Sequence, residues 1–209
     1  MSTPTRPGVA RVPLRQSGWP VPRTPRWLVA VIVAVVAVAV LLAWPHRPST
    51  AQRAVDLRAF LHSMQADIES CAGGVTESLQ VLHAITAGTS HDTGTAVGVA
   101  RYGAQNCSPA NSMPMDSLTQ YQVPESLASY HLDTVVNDLI TWAFPLAQRV
   151  QNDVADVLTA SSASGRASAN AALTRDRRAM DAERTVIDGK LRGVIAALGG
   201  HAQPPDLPA

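Results

Sequence analysis

The chain has 209 residues, 46% of them apolar, 16% charged and 4% aromatic, with 17 Lys+Arg against 16 Asp+Glu. This is globular composition and excludes collagen-like or wholly disordered chains. The near balance of charge argues against a basic nucleic-acid-binding domain, and two cysteines are too few for a disulfide scaffold or a four-thiolate zinc site.

Residues 1–26 hold Arg6, Arg11, Arg15, Arg23 and Arg26, no acid and six prolines. Such a stretch cannot bury a core, which predicts a disordered cytoplasmic tail. Pro4 with Pro7 and Pro22 with Pro25 have PxxP spacing, a pattern too loose to assign a ligand role. Every residue of 27–44 is Trp, Leu, Val, Ala or Ile. As a helix it covers about 27 Å of a hydrocarbon core about 30 Å thick, which predicts one transmembrane span in contact with lipid. Trp27 and Trp44 stand where interfacial anchors belong. The arginines ahead of the span orient it with the N-terminus cytoplasmic and the rest extracytoplasmic, so the expected address is the plasma membrane, single-pass. The alternative is a cleaved signal peptide and a secreted protein, with Ser49, Thr50 and Ala51 as a small-x-small site. The apolar run exceeds the usual length of a signal-peptide core, which favours the anchor.

Pro45 and Pro48 mark residues 45–50 as a linker, and a helical bundle is expected over 51–199. Its first helix, about 36 residues long, has the seam Leu57, Leu61, Met64, Ile68, Cys71, Val75, Leu82 and Ile85, at steps close to a 3.5-residue period. A turn over 88–94 precedes a short helix of small residues over 95–106. Residues 108–123, with Pro109, Asn111 and Pro114, read as the longest loop. Pro124 opens a third helix with the seam Ala128, Leu132, Val135, Leu139, Trp142, Leu146, Val150, Val154 and Val157. After a turn over 161–165, a fourth helix carries Leu173, Met180, Ile187, Leu191, Val194 and Leu198, with i,i+4 pairs Arg177–Asp181, Arg184–Asp188 and Asp188–Arg192 outside. Gly199 and Gly200 stop it, and 200–209 reads as a disordered tail. The expected fold is therefore all-α: a transmembrane helix plus an up-down antiparallel bundle of three long helices and one short.

The cysteines check this layout. Thr89, in the predicted turn, lies midway between Cys71 and Cys107, as a bridge across an antiparallel hairpin requires. We expect one disulfide between them, and Gly73, Gly74, Gly98 and Gly103 to let the two backbones approach.

No nucleophile elbow, phosphate loop, zincin motif or EF-hand loop is present, so no catalytic step, cofactor or metal is expected. His62 and His83 are about 30 Å apart on one helix and cannot share an ion. His83, His91 and Asp92 near the hairpin tip, and the pairs Asp153–Asp156 and Asp67–Glu69, read as ordinary solvated residues. The candidate binding layer is at mid-height, where Trp142, Phe144, Pro145 and Met180 meet the disulfide, with Met115 in the covering loop. A proline inside a helix beside two aromatics can kink it and open an apolar pocket with a freed carbonyl, although plain core filling accounts for the same residues. The expected role is a membrane-tethered interaction or scaffold protein of the cell envelope, with another envelope protein as partner and no nucleic acid. A ligand-sensing or solute-binding bundle acting through a membrane partner is the alternative, and an envelope enzyme the third class.

Overall fold

The computed structural model describes residues 31, 33–38, 48–198 and 202–208. The chain divides into two compact units, Met1–His46 and Arg47–Ala209. In the first, Val31 and residues 33–38 are helical, and most of the expected 1–26 tail and 27–44 span lies outside the described residues. No helix of the described residues is long and apolar enough to cross a membrane.

The second unit is an all-α bundle with no strand among the described residues. Helix α1, Thr50–Thr86, starts where Pro48 and Ser49 leave extended backbone, and the Ser49 side chain accepts from Gln52 N–H at 3.1 Å. It ends in a Schellman motif. Gly88 turns left-handed at φ 72°, and the Thr89 N–H reaches back to the Ala84 carbonyl at 2.9 Å. Its buried face contains Leu57, Leu61, Met64, Ile68, Cys71 and Val75 as the spacing predicts, whereas Leu82 and Ile85 near the tip are only half-buried.

Helix α2, Thr93–Asn106, is capped by Asp92, whose carboxylate accepts from Thr95 N–H at 2.9 Å. Every residue it buries is small: Ala96, Ala100, Gly103 and Ala104. Small residues let a helix settle into the angle between two others, and α2 packs against both α1 and the later α5.

The segment 108–123 is not the loop that its prolines suggest. It folds helix α3, Met113–Thr119, which buries Met115 and Leu118 completely. Pro114 sits in the first turn, where a missing N–H costs nothing.

The third long helix is in pieces. A 3₁₀ turn, Glu125–Tyr130, ends at His131 in left-handed backbone (φ 52°, ψ 39°). Helix α4, Leu132–Thr141, then runs into a π turn, Trp142–Ala147, in which Phe144 is extended and the Phe144–Pro145 peptide is cis, and α5, Gln148–Thr159, continues beyond it. The predicted seam holds from Leu132 to Val157, but in the 3₁₀ turn Leu127 is buried in place of Ala128. Helix α6, Ala163–Ala197, begins at the cap Ser162 and buries the whole predicted seam.

Cross-links fix the directions. Asp56 bonds Ser126 near the Thr50 end of α1, and Ser78 bonds Gln151 further up, so α1 and the third helix run parallel. Lys190 pairs with Asp138 and Arg149 with Asp176, so α6 returns antiparallel to them through the Ser162 turn.

Residues 202–208, expected to be disordered, instead lie along α1. Pro205 and Leu207 are buried, the latter 5% exposed within the core, and Asp206 N–H donates to Gln65 Oε1 at 2.8 Å. One buried leucine outweighs a composition that otherwise reads as solvated chain.

Candidate functional site

Cys71 and Cys107 are joined, with an S–S distance of 2.00 Å and a sequence separation of 36. Both are fully buried. Around them lies a polar seam. Gln151, fully buried on α5, donates from Nε2 to Cys107 Sγ at 3.0 Å and accepts at Oε1 from Ser78 Oγ at 3.4 Å. The Ser78 hydroxyl is placed 2.6 Å from the Gly74 carbonyl of its own helix. This amide occupies the space that a side chain on Gly103 would need, since a Cβ there would fall 1.9 Å from Gln151 Oε1. Of the four glycines expected to allow close approach, Gly74 and Gly103 do so, whereas Gly73 and Gly98 face open space.

The proposed mid-height layer is resolved residue by residue. Trp142, Met115 and Met180 are fully buried and belong to the same core cluster as the disulfide. The π turn that carries Trp142 packs against both α1 and α6. Phe144 is 41% exposed and Pro145 half-buried, so the turn directs its second aromatic away from the layer. Trp142 Nε1 is buried and has no hydrogen-bond partner among the described residues. The three clefts described below are lined by none of these five residues.

A second polar cluster joins α5 to α6. Asp176, between the seam residues Leu173 and Met180, is buried and paired with Arg175 at 3.0 Å and Arg149 at 3.5 Å. The Arg175 hydrogen bond holds its carboxyl below the usual carboxylate range. Asp153 faces it with the opposite shift. Burial, then the Asp176 charge and a hydrogen bond shared with it, push the Asp153 carboxyl up to about 6. Asp156 on its own helix pushes the same way and Arg175 opposes. One carboxyl of the pair therefore retains a proton well above the ordinary range, which allows it to donate to the other. Two turns further along α6, burial raises the carboxyl of Glu183, beside Asp138 and the chain's single lysine, Lys190.

The hairpin tip holds no ion-binding geometry. Asp92 is committed to Thr95, and no group of three or more His, Cys, Asp or Glu among the described residues could hold a metal ion.

Three clefts stand out among the described residues. Two flank the C-terminal segment on α1: one of about 350 Å³ between Arg58, Leu61, His62 and 202–206, and one of about 340 Å³ between Gln65, Glu69, Ala72, Gly73, Thr76 and Asp206 with Pro208. The third, about 300 Å³, lies along α6 by Leu173 and Arg178. Gln151, Asp176 and Leu207 escape a reading by apolar period. The available signal for Gln151 is the i,i+4 stripe Ala143, Ala147, Gln151, Ala155, whose alanines are all buried. No family model matches the chain, and neither does any curated protein or solved structure.

Proposed function

We propose that the protein is a membrane-tethered interaction or scaffold protein of the cell envelope, with its bundle on the extracytoplasmic side and another envelope protein as partner. The observation that carries this reading is the buried Cys71–Cys107 bridge, a linkage at home in oxidising compartments and not in the cytosol. It agrees with the orientation that the arginines of 1–26 and the apolar run 27–44 suggest. Two of the bundle's buried polar groups, Gln151 and Ser78, serve helix packing. Protease added to intact spheroplasts should digest the bundle while the protein stays with the membrane fraction. A C-terminal reporter active only in the cytoplasm would sink the reading, and a mature N-terminus at Gln52 would replace the tether with secretion.

The clefts beside 202–208 favour a second reading, a ligand-sensing bundle that signals through a membrane partner. A small molecule retained through purification would select it, and a stoichiometric co-purifying membrane protein would select the scaffold.

A further inference from the structure

The segment 202–208 is a strap. It rises in the same direction as α1, from the level of Arg58 to that of Gly73, along the stripe Leu61, Gln65, Ala72 and Gly73. It alternates in burial: Pro205 and Leu207 point inward, Gln203 and Asp206 outward. That is the manner of an extended peptide in a groove, where alternate side chains enter pockets and a main-chain group fixes register. The register bond is Asp206 N–H to Gln65 Oε1. The prolines on either side give up no other hydrogen bond, because they have no N–H, and they keep the chain extended before it docks.

The groove is larger than its occupant. Clefts of about 350 and 340 Å³ open along the strap, one level with Arg58–Gln65 and the next with Gln65–Thr76, and Gly73 in the groove leaves the place of a side chain empty. Little holds the strap: buried Leu207 and Pro205, half-buried Ala202 and the hydrogen bond from Asp206 N–H to the Gln65 side chain.

We propose that this face of α1 is an exchangeable peptide groove, and that its partner is an extended, proline-flanked leucine segment of another protein, which displaces the strap. The proposal deepens the scaffold reading and rests on it for the partner's presence, but the groove's chemistry is independent of the bundle's address. In the resting chain the strap competes as a tethered ligand at high effective concentration, so the free groove is exposed only when the strap is weakened or outcompeted.

The test uses the detergent-solubilised full-length chain, a Leu207→Ser variant and a chain ending at His201, with a fluorescein-labelled peptide of the 202–208 sequence as probe. Fluorescence anisotropy should show both altered chains binding the probe at least about 10-fold more tightly than the unaltered chain. A probe carrying serine for its leucine should not bind, and Gln65→Ala added to Leu207→Ser should weaken binding. Equal binding, or none, to folded altered chains would overturn the proposal. So would loss of cooperative unfolding in both, because the strap would then be an inseparable part of the core. Neither failure touches the scaffold reading, which the spheroplast experiment decides separately.

Discussion

Gly74 and Gly103 bring the backbones of α1 and α2 together: a Cβ on Gly74 would stand 2.8 Å from the Gly103 Cα. The obstacle is main chain, so it cannot swing aside. Gly74→Ala should therefore destabilise the bundle by about 1–3 kcal/mol, even though alanine is intrinsically the better helix former. Gly98→Ala, whose added methyl meets nothing within 4 Å, should stabilise it by about 0.5–1 kcal/mol. Urea denaturation of the two variants measures the contrast, and equal effects of one sign would refute the close approach.

Replacing both cysteines by serine releases a loop of 36 residues. In the chain-entropy model the loss is about 3.8 kcal/mol, which should lower Tm by more than about 5 °C. A scan with and without reductant checks the same number on the unaltered chain.

Trp142 and Met115 are wholly buried whereas Phe144 is exposed, so truncation should sort them. Met115→Ala should cost about 2–5 kcal/mol and Trp142→Ala about 3–5 kcal/mol. Phe144→Ser should fall within about 0.5 kcal/mol of the unaltered chain. A silent Met115→Ala would return 108–123 to the loop that its prolines suggest.

The carboxyl pair predicts a pH dependence. The Asp153 carboxyl is raised from 3.8 to about 6 on folding, so its penalty is fully present above pH 6 and is relieved as pH falls from 6 toward 4. Asp176 works in the opposite sense: its contribution is present above pH 3.8 and lost as pH falls through its lowered folded value. Stability should therefore rise on acidification from pH 7 to about 4.5 and fall steeply below pH 3.8. Asp153→Asn should raise stability at pH 7 by about 1–2 kcal/mol, the full shift being discounted for partial solvent screening, and flatten the upper limb. An unchanged slope of Tm between pH 4.5 and 7 in that variant would contradict the assignment.

Long uninterrupted periods were legible in the sequence. Leu57 to Val75 and Leu173 to Leu198 face the core as spaced, and the midpoint of Cys71 and Cys107 located the hairpin. Breaks and polar contacts were not. Pro114 reads as a helix breaker until its position in a first turn is known, and nothing in the residues around His131 announces a left-handed turn. Counting apolar residues passes over Gln151 and Asp176, because each is a polar residue whose buried position depends on partners, some of them on another helix. Leu207 was hidden for the reverse reason: its neighbours are prolines and polar residues, and the groove that receives it belongs to a segment about 140 residues earlier.

Lys190, which pairs with Asp138 in the antiparallel contact of α4 with α6, is the only lysine among 209 residues. An endoproteinase that cuts after lysine therefore has one bond to find in the chain, two turns before the end of α6 and closed to it while the helix is intact. Each cleavage counts one opening of α6, and it separates α6's last two turns and the strap from the rest of the bundle. Acylation of the same amine would cancel its charge beside Asp138 and Glu183, leaving two carboxylates to repel one another across the α4–α6 contact.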